Sequence, residues 1–400
     1  MSDIQSKTFG AVLLITGTAI GAGMLGLPVS TGASGLAASI CVTISCYFYM
    51  LATIFLFLEA MYYSPNASTN LTGLCRRLSG RIAESITWLL FLSLLYIASA
   101  AYMVGSGEIL SGSFAILANH QTFAMFLFSG FFGSIAFFKM HWVDYLNRLL
   151  IYGLVIAFAA LIFTSCPHIK LNNFSGGTPY LAIYSIPIVI TSFTSHLILP
   201  SIRAYLDNNL AQLKKSILIG CTIPLLFYII WEFLILGLLP HSGEYSLTSI
   251  LNSGQDELKL MIEYLSFHYE LSHFSKIVSI FSFFAISTSF WGVMISLRDF
   301  IDDGLDLKKY NQHQAIAVVL SFLPPICMAL FLPAGFTSFL KFAGLIILLL
   351  YGFLPIYLVW RARYTLNVVS AYTLPGGKTS LIILFIITFG IFVSTGIRVL

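Results

Sequence analysis

The chain has 400 residues, 58% of them hydrophobic and 9% charged, where ordinary soluble domains carry about 25% charged residues. With a mean hydropathy of +0.91 it reads as an all-α polytopic membrane protein, and a soluble domain is excluded. The net charge of +4 comes from basic residues in short segments between apolar runs and predicts no nucleic-acid partner, while the six cysteines, all but Cys75 in apolar segments and none in a CxxC pair, read as packing residues rather than a disulfide framework or a metal site.

Apolar runs near the 20 residues that cross a bilayer number eleven, at 8–30, 36–61, 82–111, 122–138, 148–165, 180–205, 215–239, 274–297, 314–332, 336–360 and 380–399. The first continues past Pro28 and the second follows at once, which reads as spans rather than as a cleaved leader. Fifteen of the Lys and Arg residues fall on one side of this arrangement and five on the other. The positive-inside rule therefore places the N-terminus in the cytoplasm and the C-terminus outside.

The first span holds Gly17-Thr18-Ala19-Ile20-Gly21-Ala22-Gly23-Met24-Leu25-Gly26-Leu27-Pro28. Glycine costs roughly 1 kcal/mol and proline roughly 3 in a helix interior. Non-helical backbone at membrane depth survives only where protein buries it or it lines a cavity. The stretch predicts a broken helix facing a binding site; a small-residue packing face is the competing reading. Three carboxylates lie inside later spans: Glu59 in span two, Glu108 in span three and Glu232 in span seven. Glu59 is placed to pair with a basic loop residue or with broken-helix backbone, and Glu108 to line the outer vestibule or handle a proton. Glu232, deep beside Trp231, is a candidate for the neutral form by desolvation.

Span six carries a second interruption, Thr191-Ser192-Phe193-Thr194-Ser195-His196, closed by Pro200. Spans one and six run in opposite directions, five spans apart, which points to inverted repeats with a midplane site. Residues 1–166 and 167–361 would be the two five-helix halves, with 362–400 holding the added eleventh helix. Half-helix N-termini suit a carboxylate, and released carbonyls suit an ammonium group or a cation. The backbone of Gly21, Ala22 and Gly23 is thus expected at a carboxylate, and carbonyls near Ala19, Phe193 and Thr194 at an ammonium. Tyr102 and Phe193 border the cavity and can stack on an aromatic substrate. His196 titrates near neutral pH, so it reads either as a proton carrier or as a neutral histidine satisfied by hydroxyls such as Ser192.

The segment 240–273 is the longest between spans. Leu258, Met261, Ile262 and Leu265 at helical spacing predict a short amphipathic helix over the outer vestibule. In span eight, Ala285, Thr288 and Ser289 share a helix face and, with carbonyls of Gly17 and Ile20, can form an oxygen cage for sodium. Alternatively, the hydroxyls bond to their own i−4 carbonyls. Arg298, Asp299 and Asp302, with Asp144, Arg76 and Arg77, are candidates for ion pairs closing an inner gate.

At these residues the chain resembles the hydroxy/aromatic amino acid permease family, most closely its tyrosine- and tryptophan-specific permeases. The resemblance runs through 17–28, Leu58-Glu59, 101–108, Thr191-Ser192-Phe193 with His196 and 200–202, and 288–293 with Asp299-Phe300. It implies the five-plus-five inverted-repeat fold of the amino acid/polyamine/organocation superfamily, with helices 1 and 6 broken. It also implies import of tyrosine or tryptophan across the bacterial cytoplasmic membrane by proton symport. Thr18, Ala19, Gly21, Ala22, Gly23, Tyr102, Phe193, Thr194, Ser195 and His196 would then contact substrate. Gly17, Ile20, Ala285, Thr288, Ser289, His196 and Glu108 are the coupling candidates. Thr194, Ser195 and Leu197 depart from the small residues, glycine included, that flank the span-six histidine in the family. No cofactor is expected, and membrane lipid is the surrounding partner. The alternatives are a sodium-coupled or exchange transporter of another neutral amino acid and, in a different class, an intramembrane lipid-modifying enzyme. The enzyme lacks its usual carboxylate clusters, serine elbow or phosphate loop in this sequence.

Overall fold

The computed structural model describes residues 2–64, 70–135, 140–254, 257–269, 272–305, 313–332 and 334–399, which are helical with no strand among them. Helix α1 (Ser2–Ala19) gives way to a 3-10 turn, Ala22–Gly26, and then to α2 (Leu27–Thr31), with Pro28 in its first turn. Proline fits there because the first N–H groups of a helix have no intrahelical acceptor. Next come α3 (Leu36–Tyr62), the short α4 (Leu71–Ser79), α5 (Arg81–Ser113), α6 (Gln121–Ile135) and α7 (Met140–Ser165). The sixth apolar run is interrupted where its polar residues cluster. Helix α8 (Ile186–Ser192) stops, residues 193–195 leave the helix, and one 3-10 turn, His196–Ile198, leads into α9 (Leu199–Tyr205).

Helix α10 (Leu210–Leu238) is followed by α11 (Leu247–Ser253), α12 (Glu257–Tyr269), α13 (Ser272–Gly304) and α14 (His313–Phe331). Helix α15 (Phe336–Ile347) continues through a π-helical stretch, Leu348–Phe353, into α16 (Leu354–Trp360), and α17 (Gly377–Val399) closes the chain. Among the described residues, eight helices are long and apolar enough to cross a membrane, and the halves of the first run meet at a bend of 42°. Two shorter apolar helices, Gln121–Phe132 and Ala315–Phe331, lie where spans four and nine are predicted.

Helices α5 and α13 run through the middle of the bundle. Helix α5 packs on α13, α6, α15 and α12, while α13 packs on α7 and α14; α1 lies along α10, as does α3. Outward faces are apolar, as with Ile156 and Phe163 on α7 and Ile382 and Ile386 on α17. The amphipathic helix expected in 240–273 is α12, whose Leu258, Met261, Ile262 and Leu265 are buried.

At the end of the bundle that carries α4, polar groups tie the helices together. The fully buried Glu59 accepts from Arg363 Nε at 2.6 Å and Nη2 at 2.5 Å, from the Tyr63 hydroxyl at 2.7 Å and from Leu374 N–H at 2.7 Å. Of the two partners expected for Glu59, the basic residue is the one present. Nearby Tyr372, between the last two spans, is pushed up to about 12 by burial, with the Glu59 charge adding to it. Arg203 donates to Met61 O at 2.6 Å and Ser64 O at 3.1 Å. Lys7 meets Asp207 at 2.7 Å. Of the proposed gate residues, Arg298 pairs with its neighbour Asp299 at 2.9 Å and Arg76 with Glu84 at 3.6 Å. The Asp144 side chain lies outside those described.

Candidate functional site

The two breaks meet. A Cβ on Gly21 would stand 2.0 Å from Ser289 Oγ, and one on Gly23 would stand 2.9 Å from Ser192 Oγ and 3.0 Å from Ser192 Cα. Real side-chain carbons do not approach so closely, so glycine here lets the broken first span lie directly on α8 and α13. The Ala22 N–H, freed by the break, donates to Ser289 Oγ at 2.8 Å. The Tyr102 hydroxyl lies beside the same Ser289 side chain. Gly21, Ala22, Gly23, Tyr102 and Ser289 are therefore assembled at one point, and Ala19 and Ile20 are buried beside them.

The released carbonyls are joined by a residue outside the expected set. The hydroxyl of Tyr228, on α10 and fully buried, lies 2.7 Å from Ala19 O and 2.6 Å from Ser192 O. These are the C-terminal carbonyls of α1 and α8, the ends that carry partial negative charge. One O–H thus bridges both breaks, and Ala19 O is already engaged. Phe193 packs edge-on against Tyr228, with ring centroids 4.8 Å apart. Tyr228 is one of twenty tyrosines, and no local signal set it apart.

A backbone-lined junction of this kind, with aromatic rings at its border and most of the surrounding bundle apolar, is the setting for a small polar ligand inside a membrane protein. The model of the tryptophan/tyrosine permease family matches residues 4–396. The chain belongs to this family. It is similar to tyrosine-specific transport system 2 of Haemophilus influenzae, 30% identical over an alignment of 397 positions that covers 96% of this chain and 95% of the relative. It is also similar to the tryptophan-specific transport protein of the same organism, 29% identical over 97% of this chain and 95% of the relative. A glutamine transporter 2 of Aliivibrio fischeri is 27% identical over 94% and 95%. The permease is accordingly a multi-span membrane transporter and not an enzyme.

Other expected residues of the permease lie apart from the junction or have their polar atoms committed. Thr18 donates to Leu14 O at 2.7 Å and Thr194 to Ile190 O at 2.9 Å, while Ser195 Oγ lies 3.8 Å from Cys221 Sγ. His196 turns toward α3. Its Nε2 lies 3.1 Å from Thr53 Oγ1, its ring is 4.7 Å from that of Tyr351, and its Nδ1 has no partner among the described residues. Ser192, named as a hydroxyl partner for this histidine, instead donates to Ile188 O at 2.9 Å. The residues departing from the family pattern do not prevent unwinding: Phe193 to Ser195 are outside the helix.

Thr288 donates to Phe284 O and Ala285 O, each at 3.0 Å, the back-bonding alternative noted above. Ala285 is fully buried, and a Cβ on Gly17 would meet nothing within 4 Å. Of Ala285, Thr288 and Ser289, Ser289 is the one whose side chain hydrogen-bonds the break among the described residues. Glu108 sits elsewhere. Its Oε2 accepts from Leu258 N–H at 2.9 Å and its Oε1 from Phe336 N–H at 3.1 Å, so one buried carboxylate caps the N-termini of α12 and α15. Glu257 of α12 also accepts from Thr337 of α15 at 2.6 Å.

Proposed function

We propose that this permease imports aromatic amino acids, tyrosine and/or tryptophan, across the bacterial cytoplasmic membrane by proton symport and alternating access. The meeting of the two breaks carries the reading. Gly21, Ala22 and Gly23 offer side-chain-free backbone to a substrate carboxylate, and the carbonyl ends of α1 and α8, gathered by Tyr228, offer the partial negative charge an ammonium needs. Tyr102 and Phe193 border the same point and suit an aromatic ring. Two of the relatives above are named for tyrosine and tryptophan, which supports the substrate class.

The topology proposed is eleven spans, with the bent first span and the two shorter apolar helices added to the eight long ones. Residues 1–166 and 167–361 form the inverted halves, the α4 end is cytoplasmic and the C-terminus lies outside. Gly17 faces open space on the α4 side of the break, while α11 and α12 cover the opposite end. A second reading, a sodium-coupled or exchange transporter of another neutral amino acid, is favoured by the glutamine transporter among the relatives.

The test is uptake of labelled tyrosine into proteoliposomes under separately imposed proton and sodium gradients, with tryptophan, glutamine and serine as competitors. Proton-driven uptake competed by tryptophan is expected. Sodium-driven uptake lost in Thr288→Ala would move coupling to α13. Absence of aromatic uptake under both gradients would overturn the substrate reading.

A further inference from the structure

Glu232 lies one turn beyond Tyr228 on α10, at i+4 and hence on the same face, and is fully buried. Its Oε1 and Oε2 are 2.9 and 2.8 Å from Thr31 Oγ1, and Oε2 is also in close contact with Ser39 Oγ. Thr31 belongs to α2, the second half of the broken first span, and its Oγ1 is also 2.8 Å from Leu27 O. Tyr228 and Glu232 therefore strap the two halves of that span to one helix face, Tyr228 at Ala19 O and Glu232 at Thr31.

Counting hydrogens decides the protonation state that fits. Three contacts need one each: Thr31 to Leu27 O, Thr31 to the carboxyl, and Ser39 to the carboxyl. The two hydroxyls supply two hydrogens, and a hydroxyl donates only one. The neutral carboxyl supplies the third. With the carboxyl ionised, Thr31 must divide its single hydrogen between Leu27 O and the carboxylate, which weakens both contacts.

No cation offsets a charge at this position: among the described residues no ion pair involves Glu232. Elements packed against α10 include α1, α2, α3, α7 and the turns Cys166–His168 and Leu171–Phe174, and Tyr228 and Trp231 also reach Ser192 of α8 and Phe281 of α13. Among the described residues, no titratable side chain of these elements is hydrogen-bonded or ion-paired to the carboxyl, whose hydrogen-bond partners are Thr31 and Ser39. Lys7 pairs with Asp207, Cys46 and Tyr47 lie two turns beyond Ser39 with Tyr47 bound to Thr222, and Tyr152 is exposed. His168 bonds Thr164 O through its ring, and Lys170 bonds Gly237 O through its main chain. An unpaired charge taken out of water is costly unless partners compensate it.

We infer that Glu232 is the site that binds the coupled proton, and that Thr31 reports its occupancy to the broken first span. Proton loss weakens the bond from the Thr31 hydroxyl to Leu27 O and so loosens α2 next to the break. The inference rests on the proton-symport reading above.

The experiment compares purified wild type, Glu232→Gln and Glu232→Asp in proteoliposomes, by accumulation under an inward proton gradient and by tyrosine counterflow, which needs no net proton movement. One pH unit sustains about tenfold accumulation for one proton per substrate. Glu232→Gln keeps the hydrogen-bonding shape of the neutral acid. It is expected to lose accumulation while keeping counterflow within about twofold, and Glu232→Asp to keep both with a displaced pH profile. Accumulation by Glu232→Gln equal to wild type overturns the inference. Infrared spectra of the same samples provide a readout independent of transport. A protonated-carboxyl stretch in wild type that shifts in Glu232→Asp supports the assignment even if Glu232→Gln misfolds, and its absence from wild type overturns it. Wild type that ignores proton gradients yet shows that band overturns the symport reading and the coupling role together, leaving only the protonated carboxyl.

Discussion

Gly21 is constrained by what stands in front of it rather than by its own dihedrals. Its φ of −161° and ψ of −156° are open to any residue, but Ser289 Oγ occupies the space a Cβ would take. Overpacking of this kind costs about 1–3 kcal/mol, and the strain falls on the junction itself. Gly21→Ala is therefore expected to lower tyrosine uptake by about tenfold, 1.4 kcal/mol being one decade, with Ser289→Gly in the same chain restoring most of it. Equal uptake by Gly21→Ala and wild type would show that Ser289 yields freely.

The break within the Gly17–Pro28 run was legible because four glycines and a proline inside one apolar segment disfavour an unbroken helix. The direction of His196 was not. Once residues 193–195 leave the helix, the 3.6-residue period no longer says which face a side chain takes, and His196 ends against Thr53 rather than Ser192. Tyr228 was illegible for another reason: only the coincidence of two carbonyls in space distinguishes it from other membrane tyrosines. Glu232 was visible as a buried carboxylate, but its partners lie some two hundred positions away in the chain.

Among elements, length and hydropathy were enough to locate the long spans, and helical spacing was enough for α12. Helices α4 and α11 escaped that reading because they have only 9 and 7 residues and are set by local caps. Asn70 accepts from Gly73 N–H at 2.9 Å, and Ser246 forms a capping box with Ser249. The link between α3 and the segment before α17 runs through Glu59 and Arg363, with Glu59 wholly buried. Removing one member of a buried pair strands the other charge and typically costs about 3–5 kcal/mol. Arg363→Ala should thus lower the thermal midpoint of the detergent-purified permease substantially, and Glu59→Gln combined with Arg363→Met should recover much of the loss. A midpoint unchanged in Arg363→Ala would mean that the link contributes little.

For the whole molecule, the bias of basic residues toward one side translates into a labelling pattern. In a background with the six cysteines replaced, a cysteine at exposed Asn252, by α11, should react with an impermeant maleimide on intact cells. One at exposed Arg77, on α4, should react only after permeabilisation. The reverse pattern would invert the proposed topology.

Glu108 gives the α12 end of the bundle a definite mechanical character. Both of its oxygens are engaged, one by the first turn of α12 and the other by the first residue of α15. Lifting α12 alone would strand a helix N-terminus and half of a carboxylate in a dry interior, where orphaned polar groups are heavily penalised. Tilting α15 alone would do the same from the other side. The two helices are thus coupled through a single carboxylate, and a movement of either one that leaves the other in place breaks a cap they share.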